Sequence, residues 1–477
     1  MPMDQLPPKV PPTAASAEDV REALVPVQMR VRGDQIVGLV DHMGNELGMP
    51  LTVIKSDGGV GNMSAAGAVI PLVSKMEKWG FLGHSLTAGA VSAPTASGNW
   101  LNDGWLTFFR RAMFGRIACQ SENVFAIAGS SGVSFRDVQV PKAIAAGCTK
   151  VTLLTGGNSI DSEGLIGPIG QGLDALKAAG IVVFASPVIV RGDPSSFTAD
   201  QIKKVDAYNR WLAQRAKDDA SIVLVDGNRH IADHTTGLPL ANMLRDGIHP
   251  QPQGAFLLAK PFVEAADKYA PPRKGVWAIY GGQYDATLNP YGDLAPTNFA
   301  GTGGIKGANV DAASVVPTGW TATRHSGTSN IGALWTKTLI DNRYQGVNVA
   351  LSGTGTGFYT SMTVSSTAVP SGVVAGDRIR LSVGCRMSSD CAGVLGPYIM
   401  LQSNGAPNVS RYDGLQNDTR NALVTDTDMI LSIDITVPDS PETLQPWLGV
   451  QTKNGQALGG NVRFWIIECR KLLPGEI

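Results

Sequence analysis

A serine, a histidine and an aspartate fall in this chain where they could act together on a carbonyl. Ser85 sits in Phe81-Leu82-Gly83-His84-Ser85-Leu86-Thr87-Ala88-Gly89, where an apolar run ends in a small, glycine-flanked turn. Asp246 and His249 belong to Asp246-Gly247-Ile248-His249-Pro250, just ahead of a helix-like stretch. A serine hydroxyl is a poor nucleophile until a base takes its proton, and the base must itself be oriented by a third group. His249 suits the first role and Asp246 the second, because their spacing lets one turn present both. Attack on an acyl carbon creates an oxyanion that needs donors. The backbone N–H groups of Ser85 and Gly129 (in Gly129-Ser130-Ser131-Gly132) and the side-chain amide of Asn158 (in Gly156-Gly157-Asn158) are placed to supply them. Losing one such donor typically costs about 3 kcal/mol of transition-state stabilisation. A protonated His249 could not accept the serine proton, so the rate is expected to fall in acid.

These segments can converge only if a scaffold brings them to one edge. Between residues 76 and 270 short apolar runs alternate with helical stretches. The expected strands are Trp79–Gly83, Asn123–Ala128, Lys150–Thr155, Ile181–Ser186 and Ser221–Asp226. The expected helices lie near Asp103–Phe114, Phe135–Ala146, Pro168–Ala179, Ala199–Lys217 and Gly254–Lys268. Runs such as Val151-Thr152-Leu153-Leu154 are apolar without alternation, as in a parallel sheet buried on both faces. Five βα units in succession imply a doubly wound, three-layer α/β/α sandwich. Ligands in such folds sit beyond the carboxyl ends of the strands. Ser85, Gly129 and Asn158 each follow the end of an expected strand.

The flanking regions differ. Residues 1–75 form an accessory segment: Pro7-Pro8 and Pro11-Pro12 favour an extended start, and Ser16 could cap a short helix near Ala17–Leu24. Strand-like runs follow at Val27–Val31, Gln35–Val40 and Pro50–Lys55, with too little apolar material for a core of their own. Residues 271–289 read as a linker. From about 290 to 477, turn-rich sequence separates alternating strands such as Arg378–Val383 and Met429–Val437, the pattern of an antiparallel β-sandwich.

Lys+Arg number 39 and Asp+Glu 40 among 477 residues, a balance that leaves no electrostatic footprint for nucleic acid or an anionic membrane. The first residues lack the pattern of a secretory signal, and no apolar stretch is long enough to span a bilayer. Five cysteines without a CxxC pair read as buried free thiols rather than a metal knuckle or disulfide framework. His230 and His234 have a zinc-compatible spacing, but their surroundings read as loop and offer no further ligands; neither metal nor cofactor is expected. His325 reads as a surface residue. Arg110 and Arg111 end a helix, where cations complement its dipole. Trp320, Trp335, Trp447, Trp465, Tyr398 and Tyr412 read mostly as core, with exposed aromatics near Trp320 or Tyr412 as candidate sugar-stacking surfaces.

Over about 76–270 the chain resembles the SGNH (GDSL) hydrolase family. The Gly-Asp-Ser-Leu block is matched by Gly83-His84-Ser85-Leu86, the glycine block by Gly129, the Gly-x-Asn block by Gly156-Gly157-Asn158, and the Asp-x-x-His block by Asp246-Gly247-Ile248-His249. The resemblance implies a flavodoxin-like fold with a five-stranded parallel sheet and Ser-His-Asp cleavage of acyl or carbohydrate esters. His84 stands where the family usually has aspartate, and Ser159 where many members have aspartate, which implies altered support of the nucleophile loop. A looser resemblance covers 290–477. Asn298-Phe299-Ala300-Gly301-Thr302-Gly303-Gly304 and Pro317-Thr318-Gly319-Trp320 look like the start of jelly-roll modules in bacteriophage virion proteins. It implies a tail or head component acting on acylated polysaccharide, partnered by other virion proteins and by copies of itself, without membrane insertion. Two other readings stay open: a bacterial esterase for small or lipidic esters, and a non-enzymatic virion adhesin or structural protein with a vestigial SGNH fold.

Overall fold

The computed structural model describes the strands within residues 28–62, residues 77–92, 99–114, 116–158, 160 and 165–270, and most of 293–472, where the longest stretches not described are 325–330, 415–422 and 424–427. The helix expected near Ala17–Leu24, the linker 271–289, Ser159 and His325 lie outside the described residues. The chain divides into two compact units, Met1–Lys75 and Met76–Ile477. In the first, β1 (Gln28–Arg32), β2 (Gln35–Val40) and β3 (Glu46–Leu47) pair antiparallel, and β4 (Thr52–Ile54) pairs with β5 (Val60–Asn62).

The second unit begins with β6 (Glu77–Gly83), α1 (Ser85–Ala88), α2 (Trp105–Ala112) and β7 (Ile117–Ala118). A continuous helical run follows: α3 (Gly132–Ser134), a π turn over Phe135–Gln139, and α4 (Val140–Ala145). Then come β8 (Lys150–Leu154), α5 (Ile166–Ala178), β9 (Val182–Ser186), α6 (Ala199–Asp218), β10 (Ile222–Leu224), the small pair β11 (Ala232–Asp233) and β12 (Leu238–Pro239), and α7 (Pro252–Asp267). The helix ends follow local chemistry. Thr198 opens α6 through a reciprocal capping box with Gln201. Pro252 starts α7, where a missing N–H costs nothing.

β10-β9-β8-β6-β7 form one parallel sheet of five strands. Successive side chains of a strand point to opposite faces, and the two faces have separate cores. Trp79 and Phe81 pack with Phe109, Phe184 and Phe262 on the α2 and α7 side; Trp79 stacks on Phe184 at 4.8 Å. Leu82, Val151 and Leu153 pack with Phe135, Ile169, Leu173 and Leu212 on the other. Asn123–Ala128, expected as a strand, is not a regular one: a 3₁₀ turn occupies Ser121–Asn123, and Ile117–Ala118 takes the edge position. Phe125 N–H and Ala126 N–H both donate to the Phe81 carbonyl, which breaks the regular ladder.

The rest of this unit is a β-sandwich. One sheet runs β13 (Ile305–Lys306), β14 (Trp320–Arg324), β17 (Tyr359–Val364), β22 (Gln445–Thr452), β19 (Val394–Ser403) and β20 (Val409–Asp413). The other runs β15 (Ile331–Ile340), β16 (Tyr344–Gly353), β23 (Asn461–Lys471), β18 (Arg378–Met387) and β21 (Met429–Thr436). All pairings are antiparallel except β13 with β14. Trp320 is fully buried against Phe299, and Trp335 and Tyr398 are also core, as expected of most of these aromatics; Trp320 itself offers no sugar-stacking surface. Cys148, Cys385, Cys391 and Cys469 are buried free thiols, while Cys119 is half-buried. Among the described residues no helix is long and apolar enough to cross a membrane.

The two halves of this unit are joined through backbone and charge. Trp100 N–H donates to the Tyr412 carbonyl (3.2 Å) and Gly414 N–H to the Trp100 carbonyl (3.1 Å), so the 99–102 segment covers the edge of β20. Beside it, fully buried Asp413 accepts from Arg110 (2.6 Å) and Arg111 (2.5 Å), both at the end of α2. Arg111 also donates to Asn102, and Ser432 N–H donates to Asp413. Removing one partner of a buried ion pair costs about 3–5 kcal/mol, because the other charge is left uncompensated. Asp413→Asn is therefore expected to lower unfolding free energy by about that amount in urea titration; a loss below about 1 kcal/mol would show that the cluster does not hold the junction.

Candidate active site

The site is built where β6 stops. Gly83, the last residue of β6, pairs with Leu154 of β8 and has φ +138°; a Cβ there would lie 2.2 Å from the Leu154 carbonyl oxygen. Only glycine permits this approach and the turn that follows. His84 is then the N-cap of α1, and Ser85 is its first residue. The glycine is held at both polar groups. Gln139 Oε1 accepts from Gly83 N–H (2.8 Å), while Gln139 Nε2 donates to the Gly83 carbonyl (2.9 Å) and to Ser130 Oγ (3.1 Å). Ser130 Oγ in turn donates to the Gly83 carbonyl (2.9 Å). Gln139 is fully buried and ends the π turn, a distortion often found where a helix serves a site. Sequence reading missed Gln139. The sole cue was an amide inside the apolar run Val138-Gln139-Val140.

Asp246 and His249 are carried on the loop before α7. Its ends are closed by Gln251 N–H to the Met243 carbonyl and Arg245 N–H to the His249 carbonyl (both 2.8 Å). Gly247 has φ +77°, and a Cβ on it would meet the Gly192 carbonyl oxygen at 2.2 Å. The 187–198 segment thus presses directly on the loop. Asp246 Oδ1 accepts from the N–H groups of Ile248 (3.1 Å) and His249 (2.8 Å), and Oδ2 accepts from His249 Nδ1–H (2.8 Å). Burial pulls the Asp246 carboxyl upward, but these hydrogen bonds outweigh it and bring the pKa down to about 2. An ionised Asp246 fixes the proton on Nδ1. Nε2 is left as an acceptor, 2.9 Å from Ser85 Oγ. The three predicted residues are therefore in one hydrogen-bonded relay, with the His249 side chain 25% and that of Asp246 49% exposed.

Gly129 has φ +74°, and neither its N–H nor that of Ser85 is taken up by another hydrogen bond among the described residues. Asn158 follows β8 and Gly156, and its Nδ2 makes a long hydrogen bond to the Ser130 carbonyl (3.5 Å), tying it to the Gly129-Ser130 turn. His84 lies between these loops. Its Nδ1 faces Leu86 N–H at 3.5 Å, and its Nε2 would be 3.3 Å from a Cβ on Gly157. Arg191 donates to the Gly157 carbonyl (2.7 Å). Burial, then the charges of Arg191 and His249, lower the His84 pKa to about 4. His84 is a neutral group where aspartate would be an anion. Away from this cluster, His234 Nε2 hydrogen-bonds the Arg229 carbonyl (3.1 Å) in the loop expected there.

Residues 81–255 match the model of the GDSL-like lipase/acylhydrolase family, a span that runs from β6 into α7 and contains Ser85, Asp246 and His249. The chain thus contains a GDSL-like lipase/acylhydrolase domain. Solved structures similar to it include a putative lipolytic protein of the G-D-S-L family from Desulfitobacterium hafniense, 14% identical, over 39% of this chain and 98% of that one (TM-score 0.31). A carbohydrate esterase family 3 protein from Talaromyces cellulolyticus is 16% identical, over 41% and 98% (TM-score 0.31). A catalytic mutant of an acetylxylan esterase from Geobacillus stearothermophilus is 16% identical, over 40% and 95% (TM-score 0.31). No match was found among curated proteins.

A buried histidine with a depressed pKa makes stability depend on pH. Between about pH 6.5 and pH 4 the unfolded chain takes up a proton at His84 that the folded chain does not, so stability falls as pH falls. The full effect is about 3 kcal/mol. His84→Asn keeps a capping side chain without a titrating group, and its urea midpoint should decline less than that of the wild type from pH 7 to pH 4.5. Parallel declines would show that His84 is not held neutral.

Proposed function

We propose that this protein is a serine esterase that removes acetyl or other acyl groups from carbohydrate, acting on host surface polysaccharide as a phage virion component. The observation that carries the esterase reading is the relay Ser85 Oγ to His249 Nε2 (2.9 Å) and His249 Nδ1 to Asp246 Oδ2 (2.8 Å), inside the span that matches the acylhydrolase family. The carbohydrate and virion assignments are supported by the β-sandwich fixed to this domain and by its resemblance to virion modules. Polysaccharide, other virion proteins and further copies of the chain are the proposed partners.

In the first step Ser85 Oγ attacks the ester carbonyl while its proton passes to His249 Nε2. Asp246 balances the imidazolium across Nδ1. The oxyanion lies toward the N–H groups of Ser85 and Gly129 and the Asn158 amide, donors fixed before the reaction begins. Collapse breaks the ester C–O bond, and the sugar hydroxyl leaves with the proton from His249. Water then attacks the acyl-serine, again giving its proton to His249, and the carboxylic acid is released as the proton returns to Ser85.

Hydrolysis of p-nitrophenyl acetate and p-nitrophenyl octanoate, and acetate release from O-acetylated bacterial polysaccharide, test this reading. Ser85→Ala is expected to lose about 10⁴-fold or more in kcat, with acetate favoured over octanoate. Turnover equal to wild type in Ser85→Ala would rule the mechanism out; a preference rising with acyl length would point to lipidic esters. Polysaccharide binding without Ser85-dependent turnover would favour the vestigial-site adhesin. Asn158→Ala should lose about 10²–10³-fold in kcat, with KM little changed. Because Asp246 stays ionised to about pH 2 and His84 stays neutral to about pH 4, neither is expected to contribute an acid limb to kcat/KM between pH 5 and pH 8. An acid limb in that window that His84→Asn abolishes would show that His84 titrates there.

A further inference from the structure

The three oxyanion donors are not held alike. The N–H groups of Ser85 and Gly129 belong to backbone beside Gly83 and Ser130, which Gln139 ties together (2.8 and 3.1 Å). Asn158 is exposed, and its one side-chain hydrogen bond among the described residues is the long one to the Ser130 carbonyl (3.5 Å). A bond of that length restrains an amide weakly. Whatever aims the Asn158 side chain must therefore act through the backbone that carries it.

Arg191 reaches that backbone. Its Nη2 donates to the Gly157 carbonyl (2.7 Å), a charge-assisted bond of the stronger kind. The Gly157 carbonyl and the nitrogen and Cα of Asn158 lie in one rigid peptide plane, so holding the oxygen fixes the plane from which the Asn158 side chain departs. The approach is close: a Cβ on Gly157 would stand 3.0 Å from Arg191 Nη2 and 3.3 Å from His84 Nε2. The guanidinium is itself steadied over the Phe197 ring, 4.8 Å from its centroid.

The segment that carries Arg191 is anchored without this bond. Val188 N–H donates to Asn209 Oδ1 (3.0 Å), Val190 N–H to Asn228 Oδ1 (2.9 Å), and Asn228 Nδ2 to the Val188 carbonyl (2.8 Å). Gly192 N–H donates to the carbonyl of Gly247, which lies between Asp246 and His249 in sequence (2.9 Å). Fastening the segment therefore does not explain the bond from Arg191 to Gly157. What that bond adds is a link to the Asn158 peptide, one residue from the link to the His249 loop.

We propose that Arg191 is a positioning residue for ester cleavage: by holding the Gly157 carbonyl it aims the Asn158 amide at the oxyanion, and through Gly192 it sets that donor at a fixed distance from the His249 loop. The assignment rests on the esterase reading above and adds to it a residue that acts through Asn158 without touching substrate.

Rates of p-nitrophenyl acetate hydrolysis by the full chain and by Ser85→Ala, Arg191→Met, Asn158→Ala and the Arg191→Met/Asn158→Ala double variant test the assignment, with thermal unfolding to establish that each variant is folded. Methionine keeps an unbranched stem and removes the donor. Arg191→Met is expected to lose about 10–100-fold in kcat with KM little changed, as a displaced catalytic group does. Because Arg191 acts through Asn158, the double variant should fall within about twofold of Asn158→Ala alone. Phe197→Leu, which keeps the guanidinium but removes the ring beneath it, should show a smaller loss in kcat that also vanishes in the Asn158→Ala background, and it supplies the same cycle should Arg191→Met not fold. Losses that multiply in the double variant, a folded Arg191→Met with wild-type kcat, or a loss confined to KM would overturn the assignment and leave the Ser85 mechanism standing. Wild-type turnover no greater than that of Ser85→Ala would instead overturn the esterase reading, and this assignment with it.

Discussion

Asp413 is a carboxylate with no access to solvent, and a charge in that position must be matched or it unfolds its surroundings. Both matching guanidiniums come from one turn of α2, a helix that also packs its aromatic residues against the central sheet and α7. The constraint therefore reaches in two directions. It seats the edge strand β20 against the 99–102 segment, and it sets the end of α2 against β21 through the Arg110 hydrogen bond to the Ser432 carbonyl (2.5 Å).

The catalytic edge rests on a different kind of constraint. Its charges are few and its geometry is fixed mostly by neutral hydrogen bonds to backbone. Gln139 and Ser130 satisfy both polar groups of Gly83, so the residue just ahead of the nucleophile loop has little freedom to relax. Fully satisfied buried networks of this type rigidify what they touch. With His84 held neutral, Asp246 is the carboxylate hydrogen-bonded to the His249 ring at Nδ1, opposite Ser85 Oγ at Nε2.

The acylhydrolase domain was readable because each of its signals is short in sequence. A glycine that must turn the chain at a strand end, a serine after it, a Gly-Gly-Asn after another strand and an Asp-x-x-His before a helix are local patterns. A parallel sheet then places such strand ends along one edge. The five helices expected from periodicity are present within a few residues of their expected bounds. Asn123–Ala128 failed as a regular strand because its apolar pattern reports burial, not hydrogen bonding, and two of its N–H groups converge on one carbonyl. Trp320 is core, as most of these aromatics were expected to be, because a tryptophan on an alternating strand packs on whichever face the opposing sheet covers.

Sequence alone determined the five helices and most of the strands of the α/β region, the two chain regions of α/β and β character, and the residue types able to do acyl transfer. Each of these depends on neighbours a few positions away. Tertiary structure alone decided that Ser85 lies within hydrogen-bond distance of His249, 164 residues later, and that Gln139 braces Gly83. It also decided that Arg110 and Arg111 face Asp413, about 300 residues away, rather than solvent. The reason is physical: a buried polar or charged group must find its partner in space, and composition and periodicity carry no information about which distant residue will stand opposite it.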